Sequence, residues 1–397
     1  MCDVAHEVIQ RVDEFGPELA DLAVENEKLG TLSDRTAELL RSAGVIRLLQ
    51  PKEYGGYTAH PRDFAEAVMA VARHDPAAGW VCGVVGVHPW ELAQLDPRVA
   101  QEIWGENPDI WIASPYMPNG IADPVEGGGY TLSGRWPFSS GTDHCRWDFL
   151  GALLGDGKGR PAGPPTVLHV VLPRSDYSII DDSWDVVGLS GTGSKDVVVD
   201  EAFLPEYRTI NQADVQAGAA AERIGLTETL YKLPFAAMFP LGITAAVIGI
   251  CEGALSLHLS QQRERVAVTG VQVKDDPYVL YAAGEAASEI NASRVQLIDG
   301  IGRLYDQAEA GRPITIEDRS NVRRNQVRCA WRAVAALDEI VSRSGGNVMR
   351  RTNPLQRYCR DAHAGLQHMI HVPGVAYHAN VLASMGLELP PPMQILI

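Results

Sequence analysis

The stretch Tyr130-Thr-Leu-Ser-Gly-Arg-Trp-Pro-Phe-Ser-Ser-Gly141 gathers several chemistry-bearing residues in a small space. Its front half alternates apolar and polar side chains and reaches Gly134, as a strand does on entering a turn. Its back half sets the hydroxyls of Ser139 and Ser140 against Gly141, just after aromatic Trp136 and Phe138. A polar ledge beside a flat apolar wall suits a planar heteroaromatic ring with polar edges, such as an isoalloxazine. Further along, Gly191-Thr-Gly193 and Ser194 form a turn that could bring backbone N–H groups to a flavin or its phosphate. No strand–helix unit surrounds this turn, so it is not a dinucleotide fingerprint.

Histidines supply the titratable chemistry. His88 lies in an apolar segment, Gly86-Val-His-Pro-Trp90, where a satisfied core histidine is the competing reading. His363, His368, His371 and His378 crowd the C-terminal region. A histidine with an ordinary pKa of about 6.5 suits proton transfer near neutral pH. No Glu-x-x-His pair or matched ligand set accompanies these residues, so no metal site is expected.

Bulk composition narrows the classes. The 397 residues carry a formal net charge of −16. Such acidity repels phosphate backbones and anionic membranes, so nucleic acid and membrane are poor partners. The six cysteines, Cys2, Cys82, Cys145, Cys251, Cys329 and Cys359, form no C-x-x-C pair. Their scatter reads as reduced thiols in a cytoplasmic protein. The N-terminus lacks the features of a signal peptide. Phe235 to Leu259 is apolar, but Glu252, His258 and several glycines favour a buried helix over a membrane span.

Three regions must position the chemistry. Residues 1–110 read mostly as helix, with Ser33 as an N-cap, Gly44 as a stop and one apolar helix from Ala77 to about Leu95. Residues 111–210 turn Pro/Gly-rich with short β runs, the pattern of an antiparallel barrel or sandwich. Residues 211–397 begin with a polar linker and continue as long helices. Leu280, Ala283, Ala287, Ile290, Leu297, Ile301, Leu304 and Ala308 mark a helix-bundle seam that Arg294 interrupts.

Helices, then a β domain, then a bundle is the order of the acyl-CoA dehydrogenase fold. Its landmarks occur in sequence. Pro51-Lys-Glu-Tyr-Gly-Gly56 is followed by the Trp136 strand, by Gly188-Leu-Ser-Gly-Thr-Gly-Ser194, by Gln262-Arg-Glu-Arg-Val266, by Gly345-Gly346 and by Arg360-Asp361. The chain resembles that superfamily over nearly its whole length. In many members a glutamate eight positions beyond the aspartate abstracts a thioester α-proton; here Met369 stands there, and a thioether is no base. Glu252 lies where other members keep that glutamate, so a dehydrogenase remains the alternative.

Arg360-Asp-Ala-His-Ala-Gly365, Gly86-Val-His-Pro-Trp90 and Trp104-Gly-Glu106 instead look like the two-component flavin-dependent aromatic monooxygenases, the secosteroid- and hydroxyphenylacetate-hydroxylating oxygenase components. The resemblance implies reduced flavin (FADH2 or FMNH2) and O2, reacting through a flavin C4a-hydroperoxide. It also implies a separate NAD(P)H-dependent flavin reductase, an aromatic substrate and a homotetramer. N- or S-oxygenation on the same fold stays open. By resemblance, Ser140 accepts a hydrogen bond from flavin N5–H, His88 deprotonates the phenol and Ser114 contacts the substrate hydroxyl or the flavin edge. His363 stands near C4a. Trp136, Ser139, Ser140, Gly141, Thr192, Ser194 and Arg263 line the cofactor, with Arg263 on its phosphate. Trp136 also borders the substrate.

Overall fold

The computed structural model describes residues 3–390, 393–394 and 397. Cys2 lies outside them. The N-terminal helices are α1 (Asp3–Leu29), α2 (Asp34–Ala43), α3 (Pro61–His74), α4 (Pro76–Val85), α5 (His88–Leu92) and α6 (Pro97–Trp104). Local chemistry sets their ends. Ser33 Oγ accepts from Thr36 N–H at the start of α2, and Gly44 takes a left-handed conformation at its end. The single apolar helix expected from Ala77 to Leu95 is two helices. Pro89 has no N–H to continue the ladder, so the chain breaks at Gly86–Val87 and restarts as α5. That break turns His88 toward the β domain.

The strands are β1 (Ile112–Ala113), β2 (Pro118–Pro124), β3 (Tyr130–Ser139), β4 (Trp147–Leu154), β5 (Val167–Pro173), β6 (Ser178–Ile180), β7 (Lys195–Leu204) and β8 (Thr209–Asn211). They form one sheet in the order β6-β7-β3-β2-β4-β5-β8, with β1 added on β4. The sheet is mixed and not purely antiparallel, because β1 and β2 both run parallel to β4. Along β5, Leu168, Val170 and Leu172 fill a core internal to the β domain, whereas Val171 joins the larger helical core. His169 shares the Val171 face, since side chains alternate across a strand.

The polar linker expected after the sheet contains short helices α7 (Gln212–Ala217) and α8 (Ala219–Arg223). The bundle follows as α9 (Phe235–Glu264), α10 (Pro277–Glu309), α11 (Ile316–Ser342), α12 (Leu355–Leu366) and α13 (Pro373–Ser384). Helix α9 is long and apolar enough to cross a membrane, but 89% of its most apolar window is buried within the fold. Its crossing with α4 is very close. A Cβ on Gly83 would come within 2.5 Å of Gly242 O, and one on Gly242 within 2.2 Å of Gly83 O. Only glycine permits that approach. Arg294, the interruption in the α10 seam, pairs with Glu252 at 3.0 Å and reaches Glu66 at 3.6 Å. The seam thus breaks to hold an ion-pair network between α3, α9 and α10.

Candidate active site

Strand β3 does not end straight. Phe138 adopts φ 70°, and the β3/β7 register shifts between Trp136 and Ser139. The kink separates the aromatic residues from the hydroxyls. The Trp136 indole is wholly enclosed in the β-domain core and donates to Gly151 O at 2.6 Å. Phe138 points outward, edge-on to Trp184. Ser139 turns inward and donates to Asp148 Oδ2 at 2.9 Å. The structure therefore brings neither Trp136 nor Ser139 to the ledge. The flat wall beside Ser140 is Trp80 of α4, whose Nε1 donates to Ser140 Oγ at 3.3 Å.

Ser140, Ser194 and Thr192 form a buried hydroxyl chain whose polarity follows from its far end. Thr192 Oγ1 donates to Leu189 O at 2.8 Å, because a carbonyl only accepts. Ser194 must then donate to Thr192 at 2.6 Å, and Ser140 to Ser194 at 2.7 Å. With Trp80 donating into Ser140, the proton direction is fixed along the whole chain. Ser140 Oγ keeps one acceptor position and no free proton. Gly141, at φ 72°, lets its N–H reach Thr192 O at 2.9 Å and ties the two loops together. Asp361 of the Arg-Asp pair accepts from Leu189 N–H at 2.6 Å, so α12 clamps the loop that carries the chain. Burial raises the Asp361 carboxyl to about 7.

A second polar pair lies between α5 and β1. His88 Nδ1 is 2.6 Å from Ile112 O, and Nε2 is 2.7 Å from Ser114 Oγ. The carbonyl can only accept, so the neutral ring carries its proton on Nδ1 and Ser114 donates to Nε2. Ser114 Oγ is left as an acceptor. Burial lowers His88 to about 4, partly opposed by the Ile112 carbonyl.

Aromatic contacts connect the two polar groups. Tyr116 lies 5.5 Å from His88 and 5.1 Å from Phe239 between ring centres. Phe239 lies 6.0 Å from His368, and His368 lies 6.0 Å from Trp80. Tyr116, Phe239 and His368 are only partly buried, so this line of rings between α4, α9 and the β domain is not sealed. His368 Nδ1 accepts from Ile370 N–H at 3.2 Å, which leaves the ring proton on Nε2 as a donor. Burial lowers its pKa to about 4, and Arg323 acts in the same sense.

His363 is not part of this ring. Its exposed imidazole is 2.8 Å from Asp338 Oδ1. With Cys359 these two residues place potential metal-binding atoms within 4.8 Å of one another at the surface. Arg263 is exposed near the end of α9 and pairs with its neighbour Glu264. Glu252, the remaining candidate for a thioester base, is held by Arg294. From the sequence, Trp80 stands only as one of five tryptophans expected to line a pocket, with Trp90, Trp104, Trp111 and Trp136, and His368 reads as a surface or packing residue. A sign of His368 was present in its position just before Met369-Ile-His371, past the end of the amphipathic helix, but nothing local tied it to Ser140.

Residues 241–373 match the family of acyl-CoA dehydrogenase C-terminal domains. The chain is 50% identical over 394 residues to a pigment production hydroxylase of Rhodococcus erythropolis, covering 99% of this chain and 100% of that one. It is 37% identical to the flavin-dependent monooxygenase oxygenase subunit HsaA of Rhodococcus jostii, covering 96% and 99%. Among solved structures it is similar to XiaF from Streptomyces in complex with FADH2 and glycerol, with TM-score 0.90, 26% identity and 98% of each chain covered.

Proposed function

The chain belongs to the oxygenase components of the two-component flavin-dependent monooxygenases, and on that premise we propose that a cleft follows these rings, with reduced flavin at its Ser140 end and the His88–Ser114 pair activating a phenolic or indole-like ring for oxygenation at the other. Reduced flavin and O2 are its reactants, and a separate reductase component supplies the flavin. When bound, reduced flavin with O2 supplies an electrophilic oxygen atom.

The observation that carries the reading is the fixed polarity of the hydroxyl chain. Ser140 Oγ can only accept further hydrogen bonds, which matches the N–H at the N5 edge of a reduced ring and mismatches the bare nitrogen of an oxidised one. Holding that proton in a dry site keeps activated oxygen from leaving as peroxide. Thr192 and Ser194 act through Ser140 by setting its direction. Gly141 keeps the two loops in register. His368 offers its Nε2–H to an oxygen atom in the cleft.

At the other end, a phenol donates to Ser114 Oγ while Ser114 passes its proton to His88 Nε2. The ring becomes a phenolate and its ortho carbon gains electron density. The imidazolium formed beside it is stabilised by that new negative charge, which offsets the burial that favours a neutral His88. The carbon takes up the oxygen atom, and its proton is lost as aromaticity returns. Tyr116, Phe235, Phe239 and Trp80 supply flat apolar contact to the ring.

A homotetramer in the cytoplasm completes the reading. Leu259, Val266, Val268, Val271, Tyr278 and Tyr281 form an exposed apolar stretch beside Arg263, as a subunit contact requires. Arg263 would meet a partner's flavin phosphate there. The test is rapid mixing of reduced enzyme–flavin with oxygenated buffer, with FAD and FMN and a panel of phenols and indoles. The expected result is a near-ultraviolet transient, shortened by a productive substrate, with one oxygen atom of O2 in the product. Flavin bleaching by an acyl-CoA under argon, with no transient, would overturn the proposal.

A further inference from the structure

Behind Tyr116 lies a second buried polar group that the reaction above does not use. Glu91 and His169 are 1% and 0% exposed, and Glu91 Oε1 is 2.6 Å from His169 Nδ1. The two come from separate elements. Glu91 stands one turn after His88 on α5, and His169 sits on the face of β5 turned to the helices. Three enclosed polar atoms there have no hydrogen-bond partner: Glu91 Oε2, His169 Nε2 and Tyr116 Oη. The Tyr116 hydroxyl faces Glu91 and interacts with its carboxylate, outside ordinary hydrogen-bond geometry.

Each buried polar atom left unpaired costs about 1–3 kcal/mol. Native proteins contain few of them, and several at one spot call for a ligand or water. Their surroundings are aromatic. Phe149, Phe235 and Tyr116 lie 5.8, 5.2 and 4.4 Å from the His169 ring. Tyr116 touches both histidines, since it is also 5.5 Å from His88. It belongs to the short segment between β1 and β2, outside regular structure, and its ring packs against His88, Phe149, His169, Phe235 and Phe239.

We propose that Glu91 and His169 form a second substrate-binding subsite, which takes an oxygen substituent on the far side of the aromatic ring system from the hydroxyl held by Ser114. This rests on the reading that the His88–Ser114 cleft binds an aromatic hydroxyl. Glu91 holds His169 by its Nδ1 side, so Nε2 and the free Glu91 oxygen face the incoming group. A hydroxyl can donate to one and accept from a protonated other; a carbonyl can accept from a protonated Nε2. The Tyr116 ring fills the span between the two histidine rings, so a fused or extended aromatic bearing an oxygen at each end reaches both anchors when it displaces that ring. Apolar faces of Phe235 and Phe239, stacked with their planes 9° apart, bound the space between.

The test compares a naphthol with the naphthalenediol that carries its second hydroxyl on the far ring. Both are titrated under argon into the enzyme with reduced flavin, so affinity is read without turnover. The naphthalenediol is expected to bind about tenfold more tightly to the wild-type protein, as a site built to hydrogen-bond a hydroxyl discriminates against its absence. In His169→Phe that ratio falls to about one, whatever the substitution does to naphthol itself. Glu91→Gln and His169→Gln preserve volume and give the ratio again if the phenylalanine variant does not fold. A wild-type ratio near one, or a tenfold ratio that survives in all three variants, overturns the subsite. If wild-type protein binds both compounds and His88→Ala leaves both affinities unchanged, the reading of the cleft itself fails and the subsite with it.

Discussion

Replacing Ser140 by alanine interrupts the hydroxyl chain at the atom that, in the proposed function, meets the cofactor. The substitution removes three things: the acceptor for Trp80 Nε1–H, the donor to Ser194 and the position left for an N–H on the ligand. A net hydrogen bond contributes about 1 ± 0.5 kcal/mol, so losing the third should speed decay of the oxygen-charged enzyme roughly twofold to tenfold. The stranded indole N–H adds about 1–3 kcal/mol of destabilisation to the apoprotein. Ser194→Ala is the sharper variant, because it leaves Ser140 in place. Without Ser194 as acceptor, the Ser140 proton is free to turn toward the cofactor, where it opposes an N–H. Decay should then also quicken, though no atom that touches flavin has been deleted. The assay is the lifetime of the near-ultraviolet transient after mixing with oxygen, read alongside peroxide released per flavin. If Ser140→Ala decays at the parental rate, the acceptor role is wrong. If Ser140→Ala quickens decay and Ser194→Ala does not, the chain does not set the direction of Ser140.

Other expectations follow from the same geometry. His88→Asn should slow oxygen transfer to a phenol by about a hundredfold to ten-thousandfold, the usual range for a lost general base, while the transient still forms at the parental rate; single-turnover product analysis separates the two steps. His368→Ala should alter the lifetime of the transient and His363→Ala should leave it within twofold, because His368 lies beside Trp80 and Phe239 whereas His363 is exposed on Asp338; equal effects would refute the proposed placement. Acid should weaken the fold. His88 and His368 are lowered to about 4 and His371 to about 3, all by burial, so the unfolded chain binds these protons first as pH falls below about 6.5. Asp148 and Asp361, both raised to about 7, act oppositely, since the folded chain binds their protons first. His60, His74 and His258 are also lowered by burial and Asp75 is also raised, so six groups against three leave stability falling as pH drops from about 6 to 5. Asp361→Asn should steepen that slope, and urea midpoints measured across the window check the sign.

Much of the architecture was written in local pattern. The order of helices, β domain and bundle followed from periodicity and turn residues, and the serine ledge after β3 followed from its strand and glycine. These signals are local because helix and strand periods, caps and turns depend on residues a few positions apart. What the ledge faces was not local. Trp80 meets Ser140 across 60 positions, and Ser114 meets His88 across 26. The kink at Phe138 sent Trp136 into the β core and left its expected place to an indole from another domain. On α12, His363 follows the helix to its outer face, whereas His368 lies past the helix end, where the chain turns back under Trp80. Residue types named the chemistry this chain can perform. Which of them act together was decided by the packing of α4 on α9 and of α5 on the sheet, because burial and contact depend on elements far apart along the chain.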